Sequence, residues 1–232
     1  MDLKALKEEV YEANLALVRL GLVLLTWGNA SGIDRERGLV VIKPSGVDYD
    51  VMTPEDMVVV NLDSGEVVEG GLRPSTDTPT HLELYRNFRN IGGAVHTHST
   101  YAVAWAQAQR DIPIIGTTSA DYFYKPVPCC RQLTSDEIFT DYEHAVGEVI
   151  VETFRERNLD PNSTPAALAR NHGPFCWGKS PMDAAHIAAV LEESAKLVFL
   201  TESLNSQLPM DQNLIEKHYQ RKHGANAYYG QK

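Results

Sequence analysis

The sequence predicts one α/β domain, and three observations predict it. Stretches with apolar residues at helical spacing alternate along the chain with short apolar runs of strand length. Those runs break in loops rich in Gly, Pro, Ser, Asn and Asp. Across 232 residues no Pro/Gly/Ser linker, charge block or internal repeat divides the chain, and its length suffices to bury a sizeable core.

Leu3, Leu6, Val10, Leu17 and Leu20 mark an amphipathic helix over residues 2–20, with Gly21 as its stop. Residues 22–26 read as a strand running into the turn-rich loop Trp27-Gly28-Asn29-Ala30-Ser31-Gly32. Residues 39–42 read as a second strand, broken at Lys43-Pro44-Ser45-Gly46. A short helical turn at Thr53-Pro54-Glu55-Asp56, a strand over 57–62 and a hairpin turn into Val67-Val68 look purely structural. Thr78 as N-cap and Pro79 at the first helical position start a helix running to about Asn90. The apolar approach Gly92-Gly93-Ala94-Val95 reads as a buried strand that ends in His96-Thr97-His98. A helix over 99–109, a strand over 112–117 and a helix over 135–157 follow. Residues 166–169 are a strand leading into Arg170-Asn171-His172-Gly173-Pro174, where Gly-Pro turns the backbone. Ser180-Pro181 opens a long helix to about Ser203, and a last helix carries Lys217–His223, ended by Gly224. The tail through Gly230 holds Tyr228 and Tyr229, and two tyrosines at a terminus imply that it docks on something.

Composition narrows the function. A net charge of −10 argues against a nucleic-acid partner, which a basic face would serve. The sequence shows no secretory leader and no apolar run of membrane-spanning length, so no membrane partner and a cytoplasmic location are expected. Cys129, Cys130 and Cys176 include no C-x-x-C pair, which argues against a disulfide framework and a cysteine zinc site.

The chemistry gathers around histidines. On a strand, His96 and His98 point to one face, and neutral imidazole is the commonest metal ligand. His172 is a third histidine at a strand end, and Asp77 precedes a helix, where capping is the plainer role. Three nitrogens and one carboxylate suit Zn²⁺, with Mn²⁺ or Co²⁺ able to take a similar site. His81 could ligate by spacing, although a partly exposed helix histidine is the simpler reading. Lys43, Ser45 and Gly46 supply an ammonium, a hydroxyl and backbone N–H groups fit for a phosphate; an ordinary turn with a solvated lysine reads from the same residues. Ser75 and Thr76 lie just before a helix N-terminus, a favourable place for an anion. Asp121 sits where a strand gives way to a loop, open to an acid/base role or a turn role.

Trp27-Gly28-Asn29, Lys43-Pro44-Ser45-Gly46, Asp77-Thr78-Pro79-Thr80-His81, His96-Thr97-His98, Ala120-Asp121-Tyr122-Phe123, His172-Gly173-Pro174 and the Lys217–Gly230 tail together resemble the L-ribulose-5-phosphate 4-epimerases of the class II aldolase/epimerase superfamily. The resemblance runs from the first helix to the C-terminus. It implies a single three-layer α/β/α domain over 1–232 with a central, largely antiparallel sheet. It implies a C4 homotetramer with sites at subunit interfaces and the C-terminal tail docked on a neighbour. By the same resemblance Asp77, His96, His98 and His172 form the zinc site. Asn29, Lys43, Ser45, Gly46, Ser75 and Thr76 line the phosphate pocket of a phosphorylated ketopentose, and Gly28 binds substrate with them. Asp121 and Tyr229 are the acid/base pair, with Tyr229 supplied by the neighbouring chain, and His218 is a second neighbour-supplied group that binds substrate. Thr76 departs from the usual second serine but keeps the hydroxyl. Thr100-Tyr101 and Asn171 also differ from the familiar version.

The chemistry of the implied substrate agrees. In a 2-ketose 5-phosphate, C4 is β to the carbonyl and has no readily acidic proton, and no Gly-x-Gly-x-x-Gly nicotinamide fingerprint is present. Inversion at C4 is then easiest by breaking and remaking C3–C4, with glycolaldehyde phosphate rotating in between. Each face needs its own proton donor and acceptor at the C4 oxygen, hence two residues. Arabinose and ascorbate catabolism both use that reaction. The enzymic rival is a fuculose- or rhamnulose-phosphate-type aldolase, which carries a glutamate near the position of Asp77. The rival of another class is a non-catalytic metal- or sugar-sensing module.

Overall fold

A computed structural model of the chain describes residues 3–206 and 209–229. Gly230, part of the tail motif, and the last residues of the 1–232 span lie outside the described residues. Seven strands form one sheet: β1 (Asn29–Asp34), β2 (Leu39–Ile42), β3 (Val58–Asn61), β4 (Val67–Glu69), β5 (Gly93–His96), β6 (Ala166–Ala169) and β7 (Gly173–Gly178). Their order is β4-β3-β2-β1-β5-β7-β6, and every neighbouring pair is antiparallel. The predicted antiparallel three-layer class holds.

Alternation along the strands buries apolar side chains on both faces of the sheet. Ala30, Val95 and Cys176 face one side, where α1 (Leu3–Arg19), α3 (Thr100–Gln107) and α7 (Pro181–Leu204) pack. Ala94, Phe175 and Trp177 face the other, under α2 (Thr78–Asn87) and α6 (Tyr142–Glu156). The strand centres are fully buried, which is why they read as continuous apolar runs. Among the described residues no helix is long and apolar enough to cross a membrane.

Several predicted elements move. Residues 22–26 are not a strand: Leu25 has φ +53°, and Leu24 and Leu25 are 68% and 77% exposed. The strand starts at Asn29 instead, inside the stretch read as a loop. Its small residues let helices sit close, since a Cβ on Gly32 would come within 2.7 Å of Pro181 and 2.9 Å of Leu6. Residues 112–117 make only an isolated bridge, Ile112 to Val127, because Ile112 and Ile114 go into the α7-side core rather than a ladder; the end of the run winds into α4 (Thr117–Ala120). The helix over 135–157 is two, α5 (Ser135–Thr140) and α6, broken at Asp141. Gly173-Pro174 does not turn the chain. Asn171, at φ +60°, turns it, and the buried run Phe175-Cys176-Trp177 makes β7. The last helix is α8 (Gln212–His223).

Candidate metal and phosphate site

His96 closes β5 in the middle of the sheet, paired with Asn29 of β1 on one side and Phe175 of β7 on the other. Its ring stacks on Phe175, centroids 4.3 Å apart at 21°. Its Nδ1–H donates to the Pro174 carbonyl at 2.9 Å, which fixes the tautomer and leaves the Nε2 lone pair free. That Nε2 is buried and has no partner among the described residues. His98 follows just past the strand, and His172 arrives from the β6–β7 turn. One ligand atom from each of the three imidazoles lies within 4.8 Å of the other two. Burial and the neighbouring His96 push His172 down to about 3, and burial likewise lowers His98. Neutral, convergent imidazoles with an orphaned buried nitrogen fit a divalent metal.

Asp77 lines the same cleft but falls outside the three-nitrogen cluster. It occupies the N-cap position of α2 without using its side chain as a cap. The carboxylate accepts instead from Asn29 Nδ2 at 2.6 Å. Burial pushes the Asp77 carboxyl up, but His96, His81 and the Asn29 hydrogen bond outweigh it and hold it below the ordinary carboxylate range. Asn29 Nδ2 also donates to Ser75 Oγ at 3.0 Å, so one amide joins the metal side to the hydroxyl side. His81 is not partly exposed: it is wholly buried, with Nδ1 2.7 Å from Ser31 Oγ, because α2 lies flat on the sheet.

The two loops read as anion sites meet. Ser45 N–H donates to Arg73 O, and Ser75 N–H donates to Lys43 O. The Ser45 N–H is thereby spent on the backbone, and the hydroxyls and Lys43 remain for an anion. Lys43 is 1% exposed; its ammonium donates to Val47 O at 2.8 Å and, among the described residues, faces no carboxylate at contact distance. Burial brings it down to about 8, with Asp48 opposing. The solvated-lysine reading is excluded. Gly28, Asn29, Lys43, Ser45, Gly46, Ser75, Thr76, Asp77, His96, His98 and His172 all line one cleft of about 360 Å³.

The model of the class II aldolase and adducin N-terminal domain matches residues 8–199. The chain belongs to that family. Two family relatives, the L-ribulose-5-phosphate 4-epimerases UlaF of Salmonella paratyphi C (strain RKS4594) and Salmonella choleraesuis (strain SC-B67), are each 55% identical over 231 residues, 99% of this chain and 100% of theirs. Among solved structures, an L-fuculose 1-phosphate aldolase superposes with a TM-score of 0.79 at 26% identity, over 94% of this chain and 95% of the aldolase. YgbL of Escherichia coli, a putative aldolase/epimerase/decarboxylase, gives 0.72 at 25% identity, over 92% and 97%.

Asp121, His218 and Tyr229 do not line the cleft of this class II aldolase-family chain. They gather in a second cluster at α4 and α8. His218 Nδ1 lies 2.9 Å from Asp121 Oδ1, and Arg221 holds both Asp121 oxygens. The tail turns back on α8, placing the Tyr229 ring 4.7 Å from the Arg221 guanidinium. Burial pushes Asp121 up; hydrogen bonds from Arg221 and His218 outweigh it and keep the carboxyl ionised. Sequence reasoning missed Arg221, and it missed Tyr142 and Glu143, which line the cleft. Tyr142 OH is 3.3 Å from His172 Nδ1. The signal for both was the helix break at Asp141, which puts Tyr142 and Glu143 at a helix start.

Proposed function

We propose that this protein is a metal-dependent sugar-phosphate 4-epimerase that interconverts L-ribulose 5-phosphate and D-xylulose 5-phosphate by breaking and remaking C3–C4. One observation carries the reading: a single cleft has three convergent imidazoles beside Asp77 and, across Asn29, a buried lysine with the hydroxyls of Ser45, Ser75 and Thr76. Such a cleft suits a small molecule with an oxygen-rich head and a phosphate tail. The full-length epimerase relatives support the same substrate.

His96, His98 and His172, with Asp77 beside them, would hold Zn²⁺, or Mn²⁺ or Co²⁺ in its place. When bound, the ion supplies Lewis-acid polarisation of the ketose oxygens. Lys43 and the hydroxyls of Ser45, Ser75 and Thr76 bind the phosphate, with Gly28 and Gly46 keeping the backbone close. Anchored at both ends, the two fragments formed by breaking C3–C4 stay in the cleft. The glycolaldehyde phosphate turns its aldehyde over, and the bond is remade on the other face. Asp121 and Tyr229 each take or give the proton of the C4 oxygen, one for each face, and His218, 2.9 Å from Asp121, binds the substrate beside them.

Within one chain the acid/base cluster stands apart from the cleft, so we read the active form as a C4 homotetramer. In it, residues 1–232 form one domain whose tail docks on a neighbour. Leu24, Leu25, Phe139 and Leu204, 68% to 90% exposed, are large apolar side chains that neighbouring copies would cover. The expected place of work is the cytoplasm.

NMR of the zinc-loaded protein with L-ribulose 5-phosphate tests the reading. Appearance of D-xylulose 5-phosphate to equilibrium, without accumulating fragments, is the expected result. Accumulating dihydroxyacetone and glycolaldehyde phosphate would make the protein an aldolase and overturn the Asp121/Tyr229 roles. Stoichiometric binding without turnover would make it a sensing module.

A further inference from the structure

We propose that Tyr49 is a positioning residue that couples the phosphate-binding ammonium of Lys43 to the Asn29–Asp77 side of the cleft. The inference rests on the phosphate and metal reading above. Tyr49 does not line the cleft; it is 6% exposed and packs among Leu6, Val10, Met52 and Met57. Two parts of its side chain serve two loops. The Lys43 ammonium sits 4.7 Å from the centre of the ring, within cation–π range. The hydroxyl donates to the Gly28 carbonyl at 2.9 Å and lies 3.2 Å from that of Trp27.

The Gly28 carbonyl belongs to the peptide bond that leads into Asn29. Gly28 has φ +83°, and a Cβ there would lie 2.9 Å from the His96 carbonyl, so this peptide is wedged against the metal-ligand strand. Next along the chain, Asn29 pairs in register with His96 and gives its amide to Asp77 and Ser75. One rigid side chain therefore sets where the ammonium stands and where the Asn29 amide begins. Among the described residues no carboxylate meets Lys43 at contact distance; the Pro44 and Val47 carbonyls and the Tyr49 ring face hold the buried ammonium and leave its charge for an anion.

The test separates ring from hydroxyl. Inorganic phosphate binding is measured by calorimetry on the zinc-loaded protein, zinc affinity by chelator competition, and kcat and KM with L-ribulose 5-phosphate. Tyr49→Phe keeps the ring: phosphate affinity stays within about twofold, while kcat falls about tenfold and zinc binds several-fold more weakly. Tyr49→Leu also removes the ring, and phosphate affinity falls about tenfold as well. Tyr49→Met replaces it should the Leu variant not fold. Equal behaviour of the Phe and Leu variants in both readouts, or a Phe variant equal to the parent in kcat and zinc affinity, would overturn the role. Lys43→Met is the control on the underlying reading. If it binds phosphate as the parent does, or the parent binds none, the phosphate assignment falls and the Tyr49 role with it.

Discussion

Arg221 donates from Nε and Nη2 to the two carboxylate oxygens of Asp121, at 3.0 and 2.7 Å, from one turn of α8. Such a two-point grip favours the ionised acid and fixes its plane. A base of this kind works while unprotonated, so activity is lost as pH falls through its pKa. Removing Arg221 raises that pKa. Arg221→Met is expected to move the acid limb of the kcat/KM profile to higher pH, and Arg221→Lys to restore part of the shift. Asp121→Asn is expected to lower turnover by orders of magnitude with zinc still bound. An unmoved acid limb in Arg221→Met would separate the pair from the chemistry.

Lys43 titrates within reach of ordinary buffers. Its ammonium is needed for a phosphate, and burial brings it down to about 8. Affinity for a phosphate monoester should therefore hold below about pH 8 and fall about tenfold per unit above it. At the acid end the ligand itself gains a proton near about pH 6 and binding weakens again. Lys43→Met should bind weakly with no alkaline fall. Calorimetric titration from pH 6 to 10 checks this.

His81 ties the fold's acid sensitivity to the same neighbourhood. It is wholly buried and pushed down to about 4 by that burial, while Ser31 Oγ holds Nδ1 and Tyr85 OH holds Ser31. Unfolded, the ring protonates near about pH 6.5. Between there and pH 4 the unfolded chain binds a proton that the folded one refuses, so stability falls as pH drops, by about 1.4 kcal/mol per unit for this group. His172 adds a slope of the same sign when no metal is bound. His81→Gln should flatten the dependence by one proton in denaturant midpoints of metal-free protein taken from pH 7 to 4. An unchanged slope would mean that another group carries it.

Much of the site was legible because its residue types sit in short local motifs. His96-Thr97-His98 near a strand end, Lys43-Pro44-Ser45-Gly46 and Ser75-Thr76-Asp77 each contribute residues to one cleft. What joins them was not legible. The Asn29 amide bridging Asp77 and Ser75 depends on β1 pairing with β5, a contact between residues more than sixty positions apart. The β1 strand itself hid behind Gly, Asn and Ser, residues that suggest a loop until α1 and α7 are seen to need small partners. Residues 22–26 looked more strand-like and are not, since apolar alternation does not reveal whether a neighbouring strand is available. His81 was misjudged for a similar reason: a helix histidine is buried or exposed according to how the helix lies on the sheet, and a ten-residue helix does not disclose that.

The separation of the two clusters leads to the sharpest prediction. His96, His98 and His172 line the cleft, whereas Asp121, His218 and Tyr229 stand with Arg221 at α8. If each site takes its cleft from one subunit and its acid/base cluster from the next, then damage to the two halves is complementary. His98→Asn and Tyr229→Phe proteins, each inactive alone, should regain activity when unfolded together and reassembled. In a ring formed at random from equal amounts, a site works only where an intact cleft meets an intact tail, which happens at about a quarter of the interfaces. Activity near about one quarter of the parent, absent from a simple mixture of the assembled variants, is the expected outcome. No recovery from a mixture shown to be co-assembled would mean that cleft and cluster must belong to one chain, and the tail would then need a route to the cleft within its own subunit.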